Sequence, residues 1–492
     1  MVGVGSLTDH ATENLFTQKT KRYNFCTSIS HHVAMNALSS TRCLRWCLLC
    51  FLMSDYQTNL VDAKVVCFNH AGSSPSPSSV IKCLYEHQLL EQKVGGYRAA
   101  AEMSDRLERV YEKAAKLIEA EKDEIALVES ATVGWTRLFY AFCQAQDAAP
   151  RRCEQKVILV SEAEYAANVV AACQWSKTRP GWQVLAIPSK LNPDGSCTGM
   201  VDVDVLQDML DGQFLRDDGS VLNPESIALL CLTHVPTNSG IVNPAATIGK
   251  MVASFNSQRS SFKLPTVLYL LDSCQSIGQM PVSTKQIQCH GLVATGRKFL
   301  RGPRGTGFLY TSAEICSAII PSHVDHFGLP ITKVPSKDIL SGPVEDHLGY
   351  APLKGAKRFE MWESNIAGRL ALGEAIDALL SYGLPRVQSE ILENVERLCT
   401  ELNSLEHIKV YYPPACGVCT FSVNCGLQPG DIKEALWGED QSEHFEVSIV
   451  PATSTPLDSA RTQTTDLIRV SVSYTNTADD IRRLCERLRH IC

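Results

Sequence analysis

The sequence predicts an α/β protein: a large domain on a mostly parallel sheet, then a smaller C-terminal α+β domain. Three observations carry that expectation. Short apolar runs such as Ile227-Ala-Leu-Leu-Cys-Leu232 and Gly291-Leu-Val-Ala294 are continuous rather than alternating, as strands buried on both faces must be. Longer segments of helical periodicity separate them, and parallel strands need such crossovers. From Ile366 the order changes to two long helical patterns followed by strands, which suggests a separate α+β unit.

Composition narrows the class. The chain has 492 residues, 45% of them hydrophobic, enough to bury a large core and to divide into more than one domain. A net charge of -7 leaves no basic footprint, so no nucleic-acid partner is expected. No stretch reaches the roughly 18 apolar residues of a membrane-spanning helix. The 20 cysteines are scattered without a small-domain disulfide framework, which fits a reducing, cytoplasmic compartment.

Residues 1–63 read as an N-terminal extension. They are rich in Ser and Thr, and Lys19, Lys21, Arg22, Arg42 and Arg45 help their basic residues outnumber the acids before Asp55. That pattern resembles an organelle-targeting leader, and a mitochondrial location follows if residues 1–52 act as one. Alternatively the main product starts at Met53. Cys47-x-x-Cys50 lies in an apolar setting without a second pair, so no metal is expected there.

The large domain is expected over 64–320. It opens with a strand at Val65 entering the Gly/Ser/Pro turn of Ala71 and Gly72, where small residues let backbone approach a ligand. Helical periods follow over Val80–Gln92 and Tyr97–Ala120. A strand at Ile125 runs into a helix whose first residues are Ser130, Ala131 and Thr132, with Trp135 expected in the core. Free amides and a hydroxyl at a helix N-terminus suit a phosphate, although Thr132 would equally serve as a simple cap. The strand from Lys156 delivers Tyr165, a flat side chain able to stack on a flat ring. The run from Ile227 delivers Thr237 and Asn238; that from Leu264 to Leu271 ends in Asp272; that from Gly291 ends in Thr295, Arg297 and Lys298.

Strands that finish in polar turns present those groups at one edge of an α/β sheet, where ligands bind. An acid there can keep a pyridinium nitrogen protonated. A lysine beside a second cation loses part of its preference for the charged form and becomes an amine suited to a Schiff base. Asp272, Arg297 and Lys298 supply these parts of a pyridoxal phosphate site. A helix cap at Asp272 and a solvated turn at Lys298 would also account for the residues taken alone.

Past Tyr310 the alternation breaks in a connecting segment, 321–365. His323 and His326 lack a third ligand at a recognisable spacing, so no metal is expected. The C-terminal domain, 366–492, is expected to carry helices Ile366–Tyr382 and Leu384–Leu402, strands Ile408–Tyr412, Val418–Val423, Phe445–Val450 and Leu467–Val472, and a helix from Asp479. Arg469 lies on an apolar strand and needs a partner, either a structural carboxylate or an anionic substrate. Cys416-x-x-Cys419 has redox spacing but opens a strand.

Asp272-x-x-Gln275, followed by Thr295-Gly-Arg-Lys-Phe-Leu-Arg-Gly-Pro-Arg-Gly-Thr-Gly-Phe-Leu-Tyr310, resembles the cofactor-lysine region of class V aminotransferases, the superfamily of cysteine desulfurases, isopenicillin N epimerase and kynureninase. The resemblance runs from about Val65 to the end. It implies fold type I with a seven-stranded sheet, a homodimer, a small amino-acid substrate and pyridoxal 5'-phosphate on Lys298, with Asp272 at the pyridine nitrogen. It further implies phosphate contacts from Ser130, Ala131, Thr132, Thr295 and Arg297, ring stacking by Tyr165, and a hydrogen bond from Gln275 near the phenolic oxygen. Thr237 or Asn238 reaches cofactor or substrate, Ala71 and Gly72 lie on the substrate side, and Arg469 grips the substrate carboxylate. The segment Arg358–Asn365 resembles one that reaches the neighbouring subunit's phosphate, with Glu363 standing where relatives carry Thr.

Cysteine desulfurases carry a persulfide-forming cysteine shortly before that arginine, whereas Ser448 to Arg461 contains none. Ser454-Thr-Pro-Leu-Asp458 and Gly95-Gly96-Tyr97 are most similar to the branch of hercynylcysteine sulfoxide lyase, of ergothioneine biosynthesis, and isopenicillin-N-epimerase-like proteins. The expected reaction is C–S elimination giving pyruvate and ammonia. Transamination, epimerisation and a catalytically silent cofactor-binding scaffold are the alternatives.

Overall fold

The computed structural model describes residues 64–193, 197–335, 343–412, 415–438, 442–462 and 465–492. The N-terminal extension, with Cys47 and Cys50, lies outside the described residues. In chain order the elements begin with β1 (Lys64–Cys67), α1 (Ser78–Val94), α2 (Gly96–Glu102), α3 (Ser104–Ile118), β2 (Ile125–Val128), α4 (Ala131–Ala148), β3 (Lys156–Ser161), α5 (Ala166–Thr178) and β4 (Trp182–Ile187). A hairpin of β5 (Ser189–Leu191) and β6 (Cys197–Val201) precedes α6 (Val203–Asp211), β7 (Ile227–Thr233), α7 (Ala245–Ser261), β8 (Leu268–Asp272), α8 (Thr284–Ile287), β9 (Gly291–Thr295), β10 (Gly307–Thr311) and α9 (Ala313–Ala318).

The strands order as β2-β10-β9-β8-β7-β3-β4, a seven-stranded sheet in which β10 alone runs antiparallel to its neighbours. Its strands are buried on both faces because successive side chains point to opposite sides. Ile125 and Leu127 join one core with Val157, Leu159 and Leu230, while Ala126 and Val128 join a second core with Ile158 and Leu229. Helix α4 supplies Trp135, Leu138, Phe139 and Phe142 to the second core. The continuous apolar runs follow from this double covering.

After β10 a short ribbon of β11 (Ile331–Lys333) and β12 (Gly349–Tyr350) leads to α10 (Ile366–Tyr382) and α11 (Leu384–Asn403). Then come β13 (Ile408–Val410), β14 (Val418–Val423), α12 (Pro429–Trp437), β15 (Glu443–Glu446), β16 (Ser448–Val450), α13 (Pro456–Thr462), β17 (Leu467–Ser471) and α14 (Ala478–Ile491). An antiparallel sheet, β13-β14-β17-β16, packs against α11 and α14 around Phe421, Val470, Leu398 and Leu484. Strand β1 pairs with β15 and so belongs to this layer. Val65–Cys492 form one compact unit.

Several elements differ in extent from the sequence expectation. The run from Leu264 becomes strand only at Leu268, because Pro265 has no N–H to donate to a ladder. Tyr97–Ala120 divides into two helices at Met103. Phe445–Val450 breaks at Val447, since β15 serves β1 while β16 serves β17.

The β2 edge of the large sheet is closed by a side chain. Glu360, 1% exposed, accepts from the Leu127 N–H at 2.8 Å and the Tyr111 hydroxyl at 3.0 Å, and pairs with Arg369 at 2.8 Å. It replaces the missing neighbour strand and blocks further pairing. Glu360→Ala leaves an N–H, a hydroxyl and a guanidinium without their acceptor. Urea unfolding should show a loss of about 3 kcal/mol, the scale for breaking a buried pair from one side; an unchanged midpoint would mean that the edge is closed by something else.

Candidate active site

The C-terminal ends of β2, β3, β7, β8 and β9 converge on one cleft, lined by Ser130, Ala131, Thr132, Tyr165, Asn168, Thr233, Val235, Thr237, Asp272, Cys274, Gln275, Thr295, Arg297 and Lys298. Parallel strands put the turns that follow them on the same side, so residues separated by up to 168 positions meet here.

Ser130 caps α4, its hydroxyl oxygen accepting from the Val133 N–H at 3.2 Å. The hydroxyl hydrogen and the first amides of this 18-residue helix remain available to an anion in the cleft. Arg297 adds a cation, and its guanidinium also donates to the Gly72 carbonyl. Tyr165 stands on the rim, 39% exposed.

Asp272 ends β8 and is buried. Its Oδ1 accepts from the Cys274 N–H at 2.9 Å and its Oδ2 from Asn168 Nδ2 at 3.0 Å. Lys298 lies in the turn after β9, whose path requires glycine at a second place. Gly278 has φ +97°, and a Cβ on it would stand 2.4 Å from Leu300 N and from the Phe299 carbonyl carbon. Burial lowers the pKa of the Lys298 amine; Cys274 and Asp272 oppose that shift, while Arg297 and Arg469 reinforce it. The cleft therefore holds an amine whose proton is easier to remove than that of an ordinary lysine.

Arg469 reaches the cleft from β17. It is 6% exposed, donating from Nη1 to Thr237 Oγ1 at 2.6 Å, from Nε to Ser448 Oγ at 3.0 Å, and from Nη2 to Asn69 Oδ1 at 3.5 Å. Among the described residues no carboxylate pairs with it. Burial and the neighbouring Arg297 bring its pKa down to about 10. A guanidinium held this way, with neutral partners only, is suited to an incoming carboxylate.

Thr237 and Asn238 diverge. Thr237 lines the cleft between Arg469 and Gln275, whereas Asn238 Nδ2 donates to the Pro451 carbonyl at 3.1 Å, outside it. Gln275 Nε2 donates to the Ala71 carbonyl at 3.1 Å and Thr237 Oγ1 at 3.2 Å, and its Oε1 is buried without a partner. Ala71 and Gly72 sit behind the cleft, tied to Gln275 and Arg297 by their carbonyls. In the connecting segment, Asn365 caps α10 through Gly368 N, while Glu363 is exposed. Cys416 and Cys419 are buried apart from the cleft, Cys419 beside Cys399. Among the described residues no group of three or more His, Cys, Asp or Glu is arranged to hold a metal.

Sequence reasoning missed Asn168, Glu164, Thr233 and Cys274. Asn168 had a readable signal: it stands three residues after Tyr165, one helical turn along, and so shares its face. Cys274 lies in the cleft, but burial and the Asp272 carboxylate push its thiol well above the usual range.

Because Arg297 lowers the proton affinity of Lys298, Arg297→Gln should raise the pH at which that amine is half-protonated. The pH dependence of Lys298 acetylation, read by mass spectrometry on cofactor-stripped protein, checks this. An unchanged or lower midpoint would remove Arg297 as a cause.

The family model for aminotransferase class-V matches residues 66–484. A probable cysteine desulfurase from Methanothermobacter thermautotrophicus is 28% identical over 287 residues, 56% of this chain and 65% of that protein, just under two thirds of its length. One from Synechocystis is 26% identical over 377 residues, 75% of this chain and 78% of that protein. Among solved structures, a cysteine desulfurase from Thermococcus onnurineus NA1 superposes with a TM-score of 0.70 at 20% identity, covering 87% of this chain and 94% of that one. A cystine C-S lyase in complex with its product cysteine persulfide gives 0.65 at 20% identity, covering 86% and 96%. With its family match spanning most of the sequence, this chain belongs to the class V aminotransferase family.

Proposed function

We propose that this protein is a pyridoxal-phosphate-dependent C–S lyase acting on a cysteine conjugate, with the hercynylcysteine sulfoxide lyase type of substrate as the finer reading. The residues of the cleft fit the cofactor: a buried amine of lowered pKa, a buried acid, a helix N-terminus beside Arg297, and an orphaned Gln275 oxygen. When bound, pyridoxal phosphate supplies an aldehyde for the lysine and a protonated ring that takes up electrons from a bond broken at the substrate Cα. Ser130, Ala131, Thr132, Thr295 and Arg297 would hold the phosphate, and Tyr165 would be the partner of the flat ring. Asp272 would keep the ring nitrogen protonated.

Arg469 binds the substrate carboxylate, which orients Cα toward Lys298. The lysine amine then removes the Cα proton as general base. The electron pair leaves with sulfur: a thioether, R–S–CH2–CH(NH3+)–COO−, and water give R–SH, pyruvate and ammonium, and the corresponding sulfoxide gives the sulfenic acid R–SOH in place of R–SH. The observation that carries elimination over sulfur transfer is the segment before β17. Ser448 to Arg461 bears no cysteine, and α13 within it is held by the Arg461–Glu162 ion pair at 2.7 Å. The thiol that does reach the cleft, Cys274, has a raised pKa and is a poor nucleophile.

A homodimer is the assembly we infer. Ile81, Tyr85 and Leu89 recur every four residues on α1 and are exposed, as are Tyr97 and Trp362, whose rings lie 6.4 Å apart. An apolar stripe of this kind on an enzyme marks a contact surface. Every described cysteine is a free thiol, which supports a cytoplasmic location. No helix among the described residues is long and apolar enough to cross a membrane.

Borohydride should fix the cofactor on Lys298, and peptide mapping that finds it on another lysine would overturn the site. A cysteine conjugate or its sulfoxide should release pyruvate and ammonia in equal amounts without a keto-acid acceptor, and iodoacetamide should leave most of this activity. Arg469→Ala should lower kcat/KM about a hundredfold while the cofactor stays bound, and Arg469→Lys should restore part of it. A strict requirement for a keto acid would establish an aminotransferase instead. Light scattering should give a dimer mass that Tyr85→Arg with Leu89→Arg reduces to the monomer; a dimer surviving that change places the contact elsewhere.

A further inference from the structure

We propose that Glu164 is a positioning residue that fixes the cofactor-facing carboxylate of Asp272 through Asn168, an inference that rests on the pyridoxal phosphate reading above. Asn168 Nδ2 donates one hydrogen to Glu164 Oε1 at 2.8 Å and the other to Asp272 Oδ2 at 3.0 Å. The two hydrogens of an amide nitrogen are rigidly related, so holding one aims the other.

Glu164 is itself immobilised and fully buried. Its Oε2 accepts from the Thr233 N–H at 2.9 Å and the Ser161 hydroxyl at 2.7 Å, and its Oε1 also accepts from the Thr233 hydroxyl. Ser161 ends β3, Thr233 ends β7 and Asp272 ends β8, so one carboxyl ties three strand ends together. Among the described residues no cation pairs with it. Burial and the Asp272 charge raise its pKa, against the hydrogen bonds that favour its ionised form.

A carboxyl in such surroundings costs more than an amide of the same shape. What it alone offers is two acceptor oxygens, one for the fixed Thr233 N–H and one for Asn168. Glutamine has a single oxygen. With that oxygen on Thr233 N–H, its amide nitrogen faces Asn168 donor against donor, and Asn168 turns away from Asp272. The Asp272 carboxylate then keeps the Cys274 N–H at 2.9 Å but loses its second anchor.

The test is a double-mutant cycle on the holoenzyme, read as the dissociation constant of pyridoxal phosphate from absorbance titration of stripped protein, together with kcat and KM. Glu164→Gln should weaken cofactor binding about tenfold and lower kcat with KM within about twofold, while the melting temperature of the stripped protein stays within a few degrees. Asp272→Asn should weaken binding further, and Glu164→Gln added to it should change nothing more, because the relay has no carboxylate left to aim. Additive losses, or a loss confined to melting temperature, overturn the proposal and leave the cofactor reading standing. An Asp272→Asn variant that binds cofactor as well as the parent overturns both. If Glu164→Gln fails to fold, Asn168→Ala cuts the same relay from its middle, and the same cycle with it decides.

Discussion

The contact on which the arrangement depends is the hydrogen bond from Arg469 Nη1 to Thr237 Oγ1, 2.6 Å long, because it joins the C-terminal sheet to the turn after β7. Neighbouring contacts hold the same junction. Gly240 has φ +66°, and a Cβ there would stand 2.4 Å from the Val418 carbonyl oxygen, so only glycine lets that turn press against β14. Gly417 N–H donates to Gln279 Oε1 at 2.8 Å, and Ala71 N–H to Ser471 Oγ at 2.9 Å. A shift of one residue along β17 would turn Arg469 to the other face of its sheet and break its bond to Thr237.

The junction also sets the charge balance of the cleft. Arg297 and Arg469 both press the Lys298 amine toward its neutral form, while Asp272 resists. Such an array persists because each charge has neutral hydrogen-bond partners: Ser448 and Thr237 for Arg469, Cys274 N–H and Asn168 for Asp272. The two cations stand at different places, Arg297 lining the cleft beside the start of α4 and Arg469 buried on β17.

The curated relatives are cysteine desulfurases, and the fold is shared with them. Chemistry in this family divides after the Cα proton is lost, so the residues held in common cannot by themselves name the reaction. In this chain the segment before β17 is helical, pinned by Arg461 to Glu162, whose Oε2 in turn accepts from the Ser189 N–H at 2.7 Å, and Ser448 to Arg461 bears no cysteine.

The sequence by itself determined the strands and the polar ends that carry Asp272, Arg297 and Lys298, since periodicity and short motifs are local and a parallel sheet puts strand ends together without further information. It determined the shape of α10, whose bounds at Ile366 and Tyr382 follow from the Asn365 cap and Gly383. Only the tertiary structure put Thr237 on the cleft and Asn238 outside it, because adjacent residues in a turn point in different directions and Thr237 meets the Arg469 side chain from a strand more than two hundred residues away. It likewise decided that Arg469 meets no carboxylate among the described residues, that Glu360 closes the β2 edge, and that Glu164 and Asn168 stand behind Asp272. These are contacts between side chains from separate strands, and their geometry exists only once the layers have docked.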